Sequence, residues 1–512
     1  MDRVISLFGL LVMIGIAWLT SSHRRKVRLR IVLGGLLLQF VFAILVLKTQ
    51  PGRMAFEFIG SLFEATIACV DAGSSFMFNM YPRAGEADFP PAFILLRSFA
   101  FGVLPTIIFF SSLMSILYHL GVMQRIVALF AYVMQKTLGT SGAESLSAAA
   151  NIFVGQTEAP LVVRPYIQSM TLSELNAVMV GGFATIAGGV MAAFVGMGID
   201  AGHLVTASVI SAPAALLIAK IMQPETDAPQ TLGTVKVEIQ NDSVNVIEAA
   251  ASGASAGMKL AINVAAMLIA FLALIALANT FLGWLSVTCL GLEPDNAWTL
   301  ERAFSYVFYP FAWLMGIPAQ DCMPAGELLG LKMVANEFIA FDRLGAWTKA
   351  TGEGAPHPRT VVILTYALAG FANLSSIGIQ IGGIGAIAPE RRSDLAKLGL
   401  RAMLGGTLAA FMTACIAGVL VQDGSSNLPG NNSETTTSDT IRSESASTIQ
   451  MGNSLLNSTN TWRHAPHGMC PPVVANAIND QSEQPAATAL KTAVRSAQLV
   501  NPNDAFSTLT PS

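Results

Sequence analysis

The sequence predicts an all-α polytopic membrane protein with about eight transmembrane helices and two re-entrant hairpins arranged as an inverted repeat. Of the 512 residues, 53% are hydrophobic and 12% are charged, whereas soluble domains carry roughly twice that charged fraction. Several apolar runs reach the roughly 20 residues that a helix needs to cross hydrocarbon. In addition, two moderately apolar segments are interrupted by polar residues. Each precedes a long predicted helix whose centre contains glycine and polar residues.

Charge and composition exclude several classes of protein. The formal net charge is −3, which gives no electrostatic basis for a nucleic-acid partner. The five cysteines show neither CxxC nor metal-ligand spacing and are interpreted as small hydrophobic residues. The six histidines fall in loops, near span ends or in the C-terminal region. Histidine chemistry inside the membrane is therefore not expected.

The apolar N-terminal segment, Val4–Leu19, is predicted to be the first span rather than a signal peptide. A signal peptide carries its positive charge before the apolar run, whereas here the basic cluster Arg24–Arg30 follows it. The further predicted spans are Ile31–Leu47, Phe101–Leu120, Leu204–Met222, Ala261–Leu282, Val361–Ala388 and Leu395–Val421. Between the second and third spans, apolar residues recur at helical spacing from 56 to 70. This pattern predicts a helix in the membrane interface or one packed on the soluble side.

The basic residues predict the orientation of the chain. The Arg24–Arg30 cluster and the cluster from Arg391 to Arg401 should both be cytoplasmic by the positive-inside tendency. This arrangement puts both termini outside. It also puts Arg343, Lys349 and Arg359 outside, which is a mild violation of the same tendency.

The two interrupted segments are predicted to be re-entrant hairpins. Ser141–Gln168 is broken by the polar run Gly155–Pro160. Ala303–Phe341 is broken around Pro318–Asp321 and again near Asn336–Glu337. Polar, bent backbone persists at membrane depth only where protein or a water-filled cavity surrounds it.

Each hairpin is followed by a predicted broken helix, centred on Thr185–Gly189 in the first repeat and on Asn373–Gly378 in the second. With the orientation above, the first hairpin enters from inside and the second from outside. An inverted repeat of this kind places transporter sites near the midplane.

These elements give a predicted organisation in five parts. Residues 1–140 hold the N-terminal spans, the interfacial helix and scaffold, and 141–222 form the first repeat. Residues 223–300 form a cytoplasmic loop and a linking span, and 301–422 form the second repeat. Residues 423–512 are rich in Ser, Thr, Asn, Pro and Gln and should be a disordered tail, predicted outside.

The hairpin breaks contain the two most informative carboxylates, Glu158 and Glu337. An acidic residue at midplane costs about 2.5–3.5 kcal/mol, so its presence there suggests a role. Amide and hydroxyl residues accompany both carboxylates. A ligand with several hydroxyls and heterocyclic donors and acceptors would satisfy this set. The alternative is a structural hydrogen-bond network that holds bent backbone.

Four motifs in order resemble those of the concentrative nucleoside transporters: Val154–Pro160, Gly182–Gly188, Val334–Phe338 and Gly370–Ile377. The resemblance extends from the first span to about Gln422. It implies a secondary active symporter that imports nucleosides across the cell (inner or plasma) membrane. Alternating access would move a substrate-holding unit against a fixed scaffold. The resemblance further implies a homotrimer in contact with membrane lipid, and no enzyme activity.

The resemblance also implies roles for individual residues. In the family, the first hairpin and a valine of the first broken helix face the nucleobase, whereas the second hairpin and second broken helix hold the ribose. The corresponding positions here are Gln156, Thr157, Glu158 and Val190 for the base, and Glu337, Asn373 and Ser376, with Phe371 close by, for the ribose.

A sodium site is implied between the tip of the first hairpin and the first broken helix. Its positions are Asn151, Val154, Thr185 and Ile186. Thr185 stands where relatives carry serine, and the hydroxyl is kept. A proton on Glu158 or Glu337 is the alternative coupling ion.

Two other classes share part of the pattern. A membrane-embedded hydrolase would need a nucleophile–base pair or paired aspartates within spans, whereas the histidines fall in loops, near span ends or in the C-terminal region, and the sequence has no GxGD run. A channel with re-entrant pore loops would share the hairpins. The residues named here do not decide whether the protein prefers purine or pyrimidine nucleosides.

Overall fold

The computed structural model describes residues 2–78, 99–232, 243–291, 293, 297–350 and 352–421. Every regular element in these ranges is helical, which confirms the predicted all-α class. The predicted disordered tail, residues 423–512, lies outside the described residues.

Five α-helices lie in the described residues of the N-terminal part, 2–78 and 99–140. They are α1 (Asp2–Leu19), α2 (Leu29–Lys48), α3 (Gln50–Phe78), α4 (Leu104–His119) and α5 (Val122–Leu138). Two glycines with positive φ, Gly121 and Gly139, bound α5 at its ends. The backbone of α3 is helical where the sequence predicted a helix over 56–70, and its place relative to a membrane remains a prediction.

The next helices occupy the segment that the sequence predicts as the first repeat. Its hairpin consists of α6 (Gly142–Ala150) and the short α7 (Ala159–Val162) and α8 (Arg164–Ile167), with the break at 151–158. The helices after the hairpin are α9 (Leu172–Ala184), α10 (Gly188–Gly196) and α11 (Ala201–Met222). The start of α6 is fixed by a capping box, in which the Ser141 hydroxyl accepts from the Glu144 N–H and the Glu144 carboxylate accepts from the Ser141 N–H.

A 45-residue helix, α12 (Val246–Leu290), leads to the second repeat. The remaining helices are α13 (Leu300–Leu314), α14 (Cys322–Val334), α15 (Glu337–Trp347), α16 (Pro358–Leu368), α17 (Leu374–Ile387) and α18 (Arg392–Leu420). Within the described part of the chain, seven helical segments are long and apolar enough to cross a membrane. The apolar helices α16 and α17 are individually shorter, and together they make up an eighth, broken segment.

The second repeat differs from its prediction in two places. The segment that begins at Ala303 is not one hairpin, because α13 ends at Leu314 and Gly316 reverses the chain with φ +86°. Two helices, α14 and α15, remain as the arms of the predicted hairpin. The predicted centre of the second broken helix, Asn373–Gly378, is also wrong: the break occupies 369–373, and residues 374–378 begin α17. Asn373 caps this helix, so the serines that follow it belong to the first turn.

The first broken helix matches its prediction more closely. The break covers 185–187, and Gly188 and Gly189, which were predicted to lie in the break, form the first turn of α10. The break exists because Thr185 has an extended backbone, with φ −124° and ψ 167°.

Among the described helices, α9, α11 and most of α18 are largely buried. Gly406 of α18 allows close approach to α9, because a Cβ atom there would lie 2.3 Å from the Cβ of Phe183. By contrast, α1, α2 and α12 expose large apolar side chains, including Phe8, Leu33 and Ile269. Exposed apolar faces of this length are typical of helices that meet lipid.

A buried ion cluster anchors the first hairpin. The ammonium of Lys220, at the end of α11, lies 2.6 Å from Glu144 Oε2 and 3.1 Å from Glu225 Oε2. The same ammonium donates to the Ser173 hydroxyl at 2.9 Å. Because Glu144 belongs to α6 and Ser173 to α9, this cluster ties the entry arm of the hairpin to the body of the repeat.

Candidate functional site

Two asparagine caps assemble the polar part of the site in the second repeat. The Asn336 side chain accepts from the Ile339 N–H at 3.1 Å and starts α15, which places Glu337 in the first turn, 3% exposed. Asn373 starts α17 in the same way, since its Oδ1 accepts from the Ser376 N–H at 2.8 Å. Asn336 and Asn373 therefore both stand at helix N-termini, where backbone dipoles favour negative charge.

The two caps bring the second hairpin and the second broken helix together. The Asn373 amide nitrogen donates to Glu337 Oε2 at 2.9 Å. The Ser375 hydroxyl donates to Asn373 Oδ1 at 2.7 Å, so this oxygen accepts two hydrogen bonds, from the Ser375 hydroxyl and the Ser376 N–H. The Glu337 carboxylate retains capacity to accept further hydrogen bonds.

The first hairpin joins this group through Gln156. Its Nε2 donates to the Ser376 hydroxyl at 3.1 Å, and its Oε1 accepts from Gln380 Nε2 at 3.1 Å. We call Gln156, Glu337, Asn373, Ser376 and Gln380 the polar cluster. The structure thus brings together four residues that the sequence predicted as substrate contacts and that lie in three separate elements.

Gln380 was not identified from the sequence. It is fully buried on α17, one turn beyond Ser376. A signal was present, because Asn373, Ser376 and Gln380 have the spacing i, i+3 and i+7 that places residues on one face of a helix.

Two further predicted residues lie beside the polar cluster. Phe371 is buried within the break, and its carbonyl accepts from the Asn373 N–H at 2.9 Å. Thr157 packs against α17, where its Cγ2 would lie 3.0 Å from a Cβ atom added at Gly383. Thr157 is therefore next to Gln156 in sequence and next to the second broken helix in space.

Glu158 has a different neighbourhood. Its carboxylate accepts from the Gly155 N–H at 2.5 Å, and its side chain is exposed to a cavity of about 490 Å³. Residues of α4, α10 and α12 line this cavity, among them Ser111, Tyr118 and Gly188. Among the described residues, those lining the cavity do not include Gln156 or Glu337. Val190, the residue predicted to pack against the base, is buried on α10 two residues after Gly188.

The predicted cation positions meet where the hairpin tip contacts the first broken helix. Asn151 caps the C-terminus of α6, and its Nδ2 donates to the Ser147 carbonyl at 3.0 Å. The same nitrogen faces Gly181 of α9, where an added Cβ atom would lie 3.1 Å from it. The Thr185 hydroxyl donates to the Gly181 carbonyl at 2.9 Å. A backbone hydrogen bond of 2.9 Å from the Gly188 N–H to the Phe153 carbonyl holds the tip in place.

The donor set at this position fits a hard monovalent cation. Asn151 Oδ1 is buried and has no hydrogen-bond partner in the described part of the chain. A buried acceptor without a partner costs about 1–3 kcal/mol, and a cation would satisfy it. Val154 and Ile186 flank the two polar residues and can contribute backbone carbonyl oxygens, ligands that hard cations prefer.

A buried lysine accompanies the polar cluster. Lys332 of α14 is 2% exposed and donates to the Ala367 carbonyl of α16 at 2.8 Å. Its ammonium lies close enough to Glu337 to attract the carboxylate electrostatically. A buried carboxylate requires such compensation, because removal of a charge from water is costly.

Comparisons with known proteins cover most of the chain. Residues 8–81 match the family described as Na⁺ dependent nucleoside transporter N-terminus, and residues 203–418 match its C-terminus. Residues 100–201 match the family named Gate and described as nucleoside recognition.

Three curated relatives illustrate the similarity. Solute carrier family 28 member 3 of Eptatretus stoutii is 46% identical over 431 residues, which are 82% of this chain and 61% of that protein. Sodium/nucleoside cotransporter 1 of Rattus norvegicus is 42% identical over 432 residues, 82% of this chain and 64% of that protein. An uncharacterized transporter of Haemophilus influenzae is 46% identical over 436 residues, 84% of this chain and 100% of that protein. The chain thus spans about three fifths of the length of the two animal relatives.

Solved structures show the same fold. The structure of CNTnw in an inward-facing substrate-bound state is 43% identical, with a TM-score of 0.75 over 82% of this chain and 98% of that one. A variant of CNTnw in an outward-facing state is 42% identical, with a TM-score of 0.75 and the same coverage.

Proposed function

We propose a function from one premise: the chain belongs to the Na⁺-dependent, concentrative nucleoside transporter family, as its four motifs predicted. Its relatives are transporters and not enzymes, and it is accordingly a multi-pass membrane protein. On this premise, the protein is a secondary active symporter that imports nucleosides with sodium. The symport uses alternating access of the substrate-holding unit.

One observation carries the proposal: the polar cluster joins both repeats around a buried carboxylate. Gln156 of the first hairpin reaches Ser376, and Asn373 reaches Glu337 of the second hairpin. A carboxylate accepts from two vicinal hydroxyls in charge-assisted bonds, as a ribose requires. A glutamine amide offers both a donor and an acceptor, as the edge of a nucleobase requires.

The coupling ion follows from the contact between the hairpin tip and the first broken helix. The unpartnered Asn151 oxygen and the Thr185 hydroxyl would hold sodium, together with carbonyl oxygens of Val154 and Ile186. The ion would fix the hairpin tip against α9 and α10 and so hold Gln156 in place for the nucleoside. A proton on Glu158 or Glu337 is the alternative coupling ion.

Alternating access is supported by the position of Glu158. The cavity that exposes it lies between the first hairpin and the helices α4 and α12. Movement of the hairpins and broken helices against α4 and α12 would open and close this route. The exposed apolar faces of α1, α2 and α12 would contact lipid or a second copy of the chain, consistent with a homotrimer in the cell membrane.

The test is uptake of radiolabelled uridine and adenosine into proteoliposomes that contain the purified full chain. We expect saturable uptake that accumulates nucleoside above the external concentration when sodium is higher outside. Collapse of the gradient with a sodium ionophore should abolish accumulation. Uptake that never saturates or never exceeds equilibration would indicate a channel and refute the proposal. The same panel of nucleosides decides between purine and pyrimidine preference.

A further inference from the structure

Gln380 occupies a position in the fold that the proposed function leaves without a role. It is 0% exposed on α17, and its single amide nitrogen lies between two acceptors. One is the Met179 carbonyl of α9 at 3.1 Å, and the other is Gln156 Oε1 of the first hairpin at 3.1 Å. Gln380 therefore joins the first broken helix, the first hairpin and the second broken helix at one point.

These contacts determine which atom of each amide faces which neighbour. Side-chain amide orientations are normally assigned from the hydrogen-bond network, and here a backbone carbonyl anchors that network, because a carbonyl can only accept. The Gln380 atom beside Met179 O must then be nitrogen, and its second hydrogen reaches Gln156. The Gln156 atom facing Gln380 must be oxygen, so its nitrogen faces Ser376.

The donor-to-acceptor direction of these hydrogen bonds continues to the hydroxyl of Ser376. This oxygen accepts from Gln156 Nε2 at 3.1 Å. Because the hydroxyl is used as an acceptor, its own hydrogen is available, and no protein acceptor takes it within the described ranges. The chain of donors thus runs from Gln380 through Gln156 to Ser376 and ends on a hydroxyl hydrogen that no acceptor takes within the described ranges.

The two amides are closely packed on the side of α9. Gly182 of α9 lies directly against them: a Cβ atom there would come within 2.8 Å of Gln380 Nε2 and 2.9 Å of Gln156 Cβ. The absence of a side chain at Gly182 is therefore what allows the two amides to meet.

We infer that Gln380 is a positioning residue of the nucleoside site, which fixes the Gln156 amide so that Gln156 and Ser376 both present hydrogens to the substrate. This inference rests on the proposed function. It assigns the chemistry of the facing substrate atoms: they are hydrogen-bond acceptors, a sugar oxygen or a base carbonyl or ring nitrogen. Glu337, which only accepts when ionised, takes the complementary hydroxyl hydrogens of the substrate.

The experiment compares uridine binding to the purified full chain and to Gln380→Met, in the wild-type and Gln156→Ala backgrounds. Methionine keeps the length of the side chain and removes both donors. We expect Gln380→Met to raise the Kd roughly tenfold, as expected for loss of a hydrogen bond positioned for the ligand. Uptake should show a similar rise in KM with a maximal rate within about twofold of wild type, because the residue does not touch the sodium site.

In the Gln156→Ala background, Gln380→Met should have no further effect on Kd, because a residue that acts through Gln156 has nothing left to position. Gln39→Met is the matched control. Gln39 is an equally buried glutamine on α2, where its amide donates to the Gly35 carbonyl at 3.2 Å. This variant should bind uridine as the wild type does.

A second variant guards against misfolding of Gln380→Met. Gly182→Ala displaces the two amides from the α9 side and leaves both glutamines intact, and it should likewise raise the Kd. The inference is overturned if both Gln380→Met and Gly182→Ala bind uridine with the wild-type Kd. It is also overturned if Gln380→Met raises the Kd by the same factor in the wild-type and Gln156→Ala backgrounds. Failure of the wild type itself to bind any nucleoside would instead refute the proposed function, so the two failures are distinguishable.

Discussion

The Asn373 amide nitrogen lies 2.9 Å from Glu337 Oε2, and this hydrogen bond connects two residues that each begin or cap a helix of the second repeat. Asn373 also caps α17 through its oxygen, so one side chain orders the helix start and the carboxylate together. Glu337 is thereby held within the fold with an oriented acceptor face, which is the geometry a ligand with paired hydroxyls needs.

The first prediction concerns this carboxylate. Glu337→Gln should abolish nucleoside uptake while the protein remains folded and inserted in the membrane. The substitution keeps the shape of the side chain but replaces a charged acceptor of two hydroxyls, at a cost on the order of 1.5–3 kcal/mol. Uptake and binding of uridine and adenosine are the measurements.

Glu327→Gln provides the control for this prediction. Glu327 lies on the same hairpin, is partly exposed and pairs with Arg343 at the surface. Surface ion pairs contribute little, so uptake by this variant should stay near that of the wild type. Unchanged affinity for both nucleosides in Glu337→Gln would show that the assignment of the ribose contact is wrong.

The second prediction concerns ion coupling. Asn151→Ala and Thr185→Ala should each lower the apparent affinity for sodium, because each removes an oxygen next to Gly181 at the hairpin tip. By linkage, the affinity for nucleoside should fall as well in equilibrium binding at subsaturating sodium. Thr185→Ser keeps the hydroxyl and should retain sodium dependence.

The outcome that contradicts ion coupling by sodium is equally specific. Wild-type uptake that is unchanged in sodium-free buffer and follows a pH gradient would identify the proton as the coupling ion. Glu158 and Glu337 would then be the first residues to substitute.

The third prediction concerns orientation. A cysteine-accessibility map should find the Arg24–Arg30 segment and the segment from Arg391 to Lys397 on the cytoplasmic side. Residues after Gln422 should be accessible from outside. The physical reason is the retention of Lys and Arg on the cytoplasmic side during insertion. A cytoplasmic C-terminal region would require an odd number of spans and a different repeat relation.

The fourth prediction concerns the buried ion cluster at the base of the first hairpin. Lys220→Met should destabilise the fold by about 3–5 kcal/mol, because it leaves the Glu144 and Glu225 carboxylates buried without their cation. Thermal unfolding of the purified protein in detergent measures this effect. Lys136→Met, at an exposed position of α5, is the matched control and should unfold like the wild type.

A double variant separates charge compensation from simple loss of volume. Glu144→Gln combined with Lys220→Met removes one charge of each sign and should recover part of the lost stability. If the double variant is less stable by the sum of the two single losses, the two residues do not act as a pair.

The sequence determined the elements and their chemistry. Spans are set by hydrophobic length, so α1, α2, α4, α11 and α18 begin and end within about three residues of their predicted positions. The hairpin breaks around Glu158 and Glu337 were visible because polar residues and prolines interrupt apolar runs at fixed points. Local signals of this kind can be recognised without knowing which distant residues each element packs against.

Tertiary structure decided which polar side chains meet. Ser375 and Ser376 were predicted to lie in a break, yet the Asn373 cap and the contact with Glu337 place them in the first turn of α17. Glu158 and Gln156 are two residues apart in sequence, but the bend at the hairpin tip turns one to the cavity and the other to Ser376. Gln380 gains its role only from Met179 and Gln156, at sequence separations of 201 and 224 residues. Hydrogen bonds over such separations depend on how the helices pack, and packing is a property of the whole chain rather than of any local pattern.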